Sequence, residues 1–261
     1  MSRAWPFVRS VHRFEEVDST SDQARRMLSE GSLELPALIW AGSQTRGRGQ
    51  GSNRWWSDAG SLTATVILDP SSIGLTPDRE PRVALATASA TIDAIAERYP
   101  ACRAGIRWPN DIEVGGRKLG GILPERVGSG ESSRLLIGIG LNVTTRVDQA
   151  PVEIRAMAAS LNDWGRTESP VDPIEAMLAL ILERLEPSLQ DLVCGSSRLT
   201  ESWERLDVLA GRRIRVQIGS EMVEGMASGI DPSGGLIVRR EGTIEVLHAG
   251  RVLRDQNSEI A

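Results

Sequence analysis

Lysine is all but missing from this 261-residue chain: of its 30 basic residues Lys118 is the single lysine, and the rest are arginines. Arginine can replace a surface lysine at little cost, which accounts for the arginines. It does not account for the one compact ammonium that remains, because a guanidinium fork differs from it in size and hydrogen-bond geometry. Lys118 is therefore a candidate functional point charge. Cysteine and histidine are as scarce. Cys102 and Cys194 lie far apart, as do His12 and His248, which leaves no His/Cys cluster for zinc, no disulfide framework and no histidine-driven triad. No metal-ligating set is expected. No stretch approaches the roughly 18 unbroken apolar residues of a membrane span, and residues 1–10 lack the apolar core of a secretory signal, so the expected address is the cytoplasm. Positive charge is not in surplus either. A net charge of -5 argues against a general nucleic-acid binder.

What is present is ordinary globular composition, 40% hydrophobic and 25% charged, enough for one or two domains of about 150 residues each. Periodicity predicts a strand at 12–17, a helix at 22–30 closed by Gly31, a strand at 37–41, a strand at 62–68 and a helix at 82–99. Between 42 and 60 the apolar period stops, and so long a connection is usually functional or mobile. Strands at 111–114 and 118–127 flank Gly115 and Gly116, a pair suited to a two-residue hairpin turn. A central strand at 135–143 and helices at 152–161, 173–192 and 199–206 follow. Four short alternating segments, 213–218, 222–228, 236–240 and 243–248, then suggest a barrel of about 50 residues. The expected organisation is α+β: a mixed-sheet body at 1–207 and a small β-barrel at 208–261.

Three stretches carry chemistry. In residues 45–56, Gly47, Gly49 and Gly51 alternate with Arg46, Arg48 and Gln50, followed by Arg54, Trp55 and Trp56. Glycines allow close backbone approach, exposed amides form an anion nest and guanidiniums fork onto phosphate or carboxylate. The spacing fits neither Gly-x-Gly-x-x-Gly nor a Walker loop. In residues 107–125, Asn110 and Asp111 sit one hairpin from Lys118, and Gly120 and Gly121 within a strand signal close approach by a ligand or another backbone. An ordinary cross-strand ion pair with a turn Asn is the competing reading. In residues 138–143, Gly138 and Gly140 alternate in a strand that ends at Asn142, whose amide can read a donor and an acceptor together.

Together these residues resemble the bacterial biotin protein ligase family. The matching strings are Asp18-Ser19-Thr20-Ser21, Gln44-Thr45 with Gly47-Arg48-Gly49 and Trp55, Trp108-Pro109-Asn110-Asp111, Lys118-Leu119-Gly120-Gly121-Ile122-Leu123 with Glu125, and residues 138–143. The tail is similar to the family's SH3-like barrel. The resemblance implies a mixed-sheet catalytic domain of the biotin/lipoate ligase type followed by that barrel. The residues before Asp18 leave no room for the family's DNA-binding winged helix, so the non-repressor form is expected.

The implied activity is ATP-dependent ligation of biotin to a lysine of a biotin carboxyl carrier protein or domain of acetyl-CoA carboxylase or a related carboxylase, through biotinyl-5′-AMP. ATP, Mg²⁺ and biotin are the implied small molecules. The resemblance implies catalytic roles for Lys118 and Arg48. It implies biotin contacts at Ser19, Thr20, Ser21, Gln44, Arg48, Gly49, Gln50, Lys118, Gly120, Gly121 and Gly140. Nucleotide contacts are implied at Gly47, Arg48, Trp55, Asn110, Asp111 and Asn142, with Asp111 a candidate partner of Mg²⁺. No DNA or membrane partner is expected, and a homodimer stays open because exposed strand edges could pair. The chain departs from the family's commonest pattern at Gln50, Ser52 and Asn53, which remove two guanidiniums and a glycine from the loop, at Ser21 and at Arg107. A less cationic loop is expected to hold the adenylate less tightly. Two alternatives remain at this point: a lipoate ligase or octanoyltransferase of the same superfamily, and a non-catalytic biotin-binding regulator.

Overall fold

The computed structural model describes residues 5–165, 172–240 and 242–254. Residues 1–4 of the stretch read as lacking a signal, and 255–261 of the expected barrel segment, lie outside the described residues. The chain opens with strand β1 (Ser10–Val17), helix α1 (Thr20–Glu30) and strand β2 (Ala37–Gln44), with β2 parallel to β1. Ser19, in extended conformation, precedes the helix, and Gly31 at φ 69 ends it by donating its N–H to the last carbonyls, the left-handed position glycine occupies without penalty. Strand β3 (Ser61–Leu68), helix α2 (Val83–Arg98) and the meander β4 (Gly105–Arg107), β5 (Asp111–Val114) and β6 (Arg117–Val127) follow. Strand β7 (Arg134–Asn142) inserts between β3 and β6. The seven-stranded sheet runs β1-β2-β3-β7-β6-β5-β4, antiparallel except at β1/β2.

Alternation along the central strands assigns the two faces. Leu62, Ala64, Val66 and Leu68 of β3, with Leu135, Ile137, Ile139 and Leu141 of β7, join the main core with α2 and helix α4 (Pro173–Cys194). Five alanines of α2 are buried, and the Ser188 hydroxyl of α4 donates to the Ala86 carbonyl of α2 at 2.8 Å. Asp172 caps α4 by accepting from the Ile174 and Glu175 N–H groups, as N-cap carboxylates do. On the opposite face, Ala24 and Met27 of α1 cover Ala37, Ile39, Ile67 and Leu136. Farther along that face the side chains shrink to Gly138, beside the Ser21 hydroxyl at the start of α1, and Gly140, beneath the Trp55 ring. This bare glycine row is the floor of the site.

The expected helix at 152–161 is a single turn, α3 (Val152–Arg155). Beyond it the Lys118 N–H donates to the Met157 carbonyl at 2.6 Å and the Ala159 N–H to the Lys118 carbonyl at 2.8 Å. The Ser160 hydroxyl reaches the Val143 carbonyl at 3.2 Å. Residues 157–160 thus spend their polar groups on the ends of β6 and β7, and tertiary pairing outweighs a helical period. Sequence periodicity also missed β4 and a final two-residue strand, both too short to carry a pattern.

Helix α5 (Ser197–Leu206) leads to β8 (Arg213–Ile218), β9 (Glu221–Ile230), β10 (Leu236–Arg240), β11 (Thr243–Leu247) and β12 (Arg251–Val252), a five-stranded antiparallel sheet in the order β11-β10-β9-β8-β12. Its inner residues, including Val216, Ala227, Leu236 and Val238, belong to the same core as α2 and α4. Polar ties add to that seam: Trp108 Nε1 donates to the Gly234 carbonyl at 3.0 Å, and Arg107 Nη2 to the Leu253 carbonyl at 3.0 Å. The α+β expectation holds, with an SH3-like unit at the C-terminal end. Among the described residues no helix is long and apolar enough to cross a membrane.

Candidate active site between the two sheets

A cleft of about 1220 Å³ runs over the glycine floor and is lined by both sheets. Its polar end is built at the start of α1. Gln44 Oε1 accepts from the Thr20 N–H at 2.8 Å and from the Thr20 hydroxyl at 3.2 Å. Thr65, from the middle of β3, donates its hydroxyl to Thr20 Oγ1 at 2.9 Å and lies 3.3 Å from Ser21 Oγ. Ser19, Thr20, Ser21 and Thr65 are all buried. A fixed set of hydroxyls and an amide at one end of a cleft suits a polar ring or carboxylate, and not an alkyl chain. Sequence reading missed Thr65, although Ser61, Thr63 and Thr65 stand at period two in an otherwise apolar strand.

At the floor, Lys118 Nζ lies 2.6 Å from Asp111 Oδ1, its side chain 33% exposed. A register shift in the β5/β6 pairing produces this approach: Asp111 opposes Gly121, yet Glu113 opposes Lys118. The extra residue turns Lys118 onto the face it shares with Gly121 and Asp111, as a β-bulge does. Gly121 lies against the pair, and a Cβ there would sit at ordinary contact distance, 3.4 Å, from Asp111 Oδ1 and from Lys118 Nζ. The Trp55 ring lies 5.8 Å from the Lys118 ammonium and rests on Gly140, where a Cβ would come within 2.8 Å of the indole. Trp55 Nε1 is buried and has no hydrogen-bond partner.

The loop that carries Trp55 is folded. Gly49 N–H donates to the Asn53 carbonyl at 2.9 Å and Trp55 N–H to the Gly47 carbonyl at 3.0 Å, with Arg48 paired to Arg54 between them. In such a ladder residue 48 is a non-hydrogen-bonded position, so its own N–H and C=O point out of the hairpin. The Arg48 guanidinium is tied to two carboxylates. Nη1 donates to Asp22 Oδ1 at 2.9 Å and Nη2 to Glu125 Oε1 at 2.7 Å. At the loop entrance, Asp18 accepts from the Ser19 N–H and pairs with Arg26 at 2.7 Å. The Arg26 hydrogen bond, with smaller help from Ser19 and Arg46, holds the Asp18 carboxyl well below the usual range.

Asn142 donates its amide to the Ala159 carbonyl at 2.9 Å, which leaves a buried Oδ1 acceptor without a partner. Asn110 instead clips the strands together, donating to the Ile122 carbonyl at 2.7 Å. On the far wall stand Arg213, Arg215 and Arg251 of the C-terminal sheet, with Arg212 just before it. Burial lowers the pKa of Arg107 beside them. Of the residues singled out in the sequence, most line this cleft, from Ser19 to Asn142. Gly120 and Gly47 do not. A Cβ on Gly120 would meet the Gly140 carbonyl at 2.7 Å, and one on Gly47 the Trp55 carbonyl at 2.5 Å, so each glycine serves a close approach of backbone to backbone. Among the described residues no three His, Cys, Asp or Glu side chains are grouped to hold a metal ion.

The sequence pattern of the Biotin/lipoate A/B protein ligase family matches residues 14–142, and that of the Biotin protein ligase C terminal domain matches residues 210–254. The chain is 31% identical over 239 residues to the Biotin--[acetyl-CoA-carboxylase] ligase of Paracoccus denitrificans, across 90% of this chain and 96% of that one. It is 31% identical over 243 residues to the ligase of the same name from Mycobacterium tuberculosis, across 90% and 85%. A solved biotin protein ligase from Aquifex aeolicus in complex with biotin and ATP is 25% identical, with a TM-score of 0.73 over 94% of this chain and 97% of that one. Both sheets take part in these matches, and the chain belongs to the biotin protein ligase family.

Proposed function

We propose that this ligase joins biotin to ATP in the cleft, releasing pyrophosphate, and then passes the biotinyl group to one lysine of a carboxylase carrier domain. In the first step a biotin carboxylate oxygen bonds to the α-phosphorus as the bond to the β-phosphate oxygen breaks. In the second, a carrier amine that has lost its proton bonds to the acyl carbon, and AMP leaves with the C–O electron pair. Both steps gather negative charge on oxygens, which fixed cations and amides stabilise. Lys118 is the cation at the floor, a mobile point charge held ready by Asp111. That pairing, on a face stripped to glycine, is the observation that carries the reading.

The remaining roles follow from position. Thr20, Ser21 and Gln44, braced by Thr65, would hold the biotin ring. Ser19 and the floor glycines 121 and 140 border the same space, as do Gly49 and Gln50 of the loop. The outward N–H of Arg48 faces the joined carboxyl and phosphate. Trp55 would cover the nucleotide. The unpaired Asn142 acceptor suits an exocyclic amine of adenine. Mg²⁺ entering with ATP would be held by the Asp111 carboxylate and take its other ligands from phosphate and water, supplying neutralisation of phosphate charge. We divide the protein at 207/208, a boundary supported by the start of β8 at Arg213 and the family match from 210. Dependence on ATP supports a cytoplasmic address.

The test is to incubate a purified carrier domain with biotin and ATP and weigh both proteins by mass spectrometry. Wild type should add one biotinyl group to the carrier, and lipoate or octanoate should not substitute. Lys118→Met should slow adenylation by about a hundredfold or more. A carrier labelled at the wild-type rate by that variant would refute the assignment.

A further inference from the structure

We propose that Glu125 is a positioning residue: with Asp22 it pins the Arg48 guanidinium to the body, so that the peptide edge of the loop, and not the charged side chain, is presented to the ligand. The inference rests on the reading above and names how its loop is held. Glu125 lies on β6 on the same face as Gly121, and Asp22 lies in the first turn of α1. The two acids therefore come from two rigid elements. Arg48 engages both, Nη1 with Asp22 at 2.9 Å and Nη2 with Glu125 at 2.7 Å. Arg25 closes the ring from α1, with Nη2 2.9 Å from the same Glu125 oxygen and Nε 3.9 Å from Asp22.

One exposed ion pair would do little to orient a loop. This arrangement differs in two ways. The guanidinium is held at both terminal nitrogens by separate supports, which fixes its plane as a single contact cannot. Glu125 is also the drier member, its side chain 16% exposed against 36% for Arg48, and its Oε2 is buried with no hydrogen-bond partner. Its other oxygen, Oε1, takes two cations at once, Arg48 Nη2 at 2.7 Å and Arg25 Nη2 at 2.9 Å, and a partly buried carboxylate left without them would lose most of its compensation. The other loop arginine near the body is loosely held: Arg46 is 70% exposed and comes no closer to Asp18 than 3.5 Å.

With the guanidinium engaged below, the hairpin bonds of Gly47 and Gly49 set the direction of the N–H at 48. The loop is thereby organised before any ligand arrives, which lowers the entropy cost of closing it. Glu125→Gln and Asp22→Asn keep size and remove charge, and the second, at an exposed site, guards against a folding defect in the first.

Limited trypsin digestion of the ligand-free protein is the first readout. Cleavage after Arg48 and Arg54 should be about tenfold faster in Glu125→Gln, the effect of one charged hydrogen bond lost, and faster in Asp22→Asn. The second readout is release of biotinyl-5′-AMP formed on the enzyme, also about tenfold faster with little change in melting temperature. Arg48→Met should match Glu125→Gln, and the double variant should be no worse than either, because the two residues act as one device. Cleavage and release within twofold of wild type in both acid variants would overturn the inference, as would an Arg48→Met defect far larger than, and additive with, that of Glu125→Gln. A wild-type chain that forms no adenylate would refute the functional reading, while the digestion would still decide whether Glu125 holds the loop.

Discussion

Lys118 illustrates what a single side chain can and cannot do alone. Its side chain is partly exposed and flexible by nature, and the ammonium becomes a directed charge because Asp111 and the Trp55 ring face it. Asp18 does comparable work for the entrance of the site, accepting from Ser19 and pairing with Arg26. Its folded pKa is depressed, so the stability it contributes is fully present above the unfolded carboxylate value of about 3.9 and is lost as pH falls toward the lower folded value. Asp18→Asn should therefore melt below wild type at pH 7, and the gap should shrink steadily on acidification below about pH 4, followed by thermal melts. A gap that stays constant into acid would refute this. Lys118 was legible in the sequence because it had no competitors. Thr65, Asp22 and Glu125 were not, since a threonine in a strand and an acid on a surface have no distinctive pattern until their partners arrive from elsewhere in the chain.

At the scale of elements, the decisive feature is period-two alternation in β7. Placing Leu135, Ile137, Ile139 and Leu141 on the helix-covered side puts Gly138 and Gly140 on the other, and the missing side chains become the floor. Trp55 fills part of that space. Gly140→Ala would put a methyl 2.8 Å from the indole, so Trp55 must move. We expect adenylation efficiency, kcat/KM, to fall by about tenfold to a hundredfold while the melting temperature holds, since misplacement of order 1 Å costs that much in a positioned site. The strands and the main helices were readable from the same alternation. The helix expected at 152–161 was not correct, because hydrogen bonds to Lys118, Asn142 and Val143 offered that backbone a better bargain. Short β4, similarly, exists only through its neighbour.

Over the whole molecule, the body and the C-terminal sheet share one core, and the cleft needs both. Trp108 is the hinge pin of that seam, 2% exposed, with Nε1 bonded to the Gly234 carbonyl. Trp108→Phe keeps most of the apolar contact and loses the hydrogen bond, at a net cost of about 1 kcal/mol. The melting temperature should drop by about 2–4 °C.

The sequence by itself determined the family, the α+β class, the singularity of Lys118 and the membership of most of the cleft, because those depend on residue type and local period. Only the tertiary structure decided which carboxylates hold Arg48, how a bulge turns Lys118 toward Asp111, and that two sheets close on one cleft. These rest on pairings between residues distant in the chain, and no local pattern encodes which distant partner a charge or a backbone amide will meet.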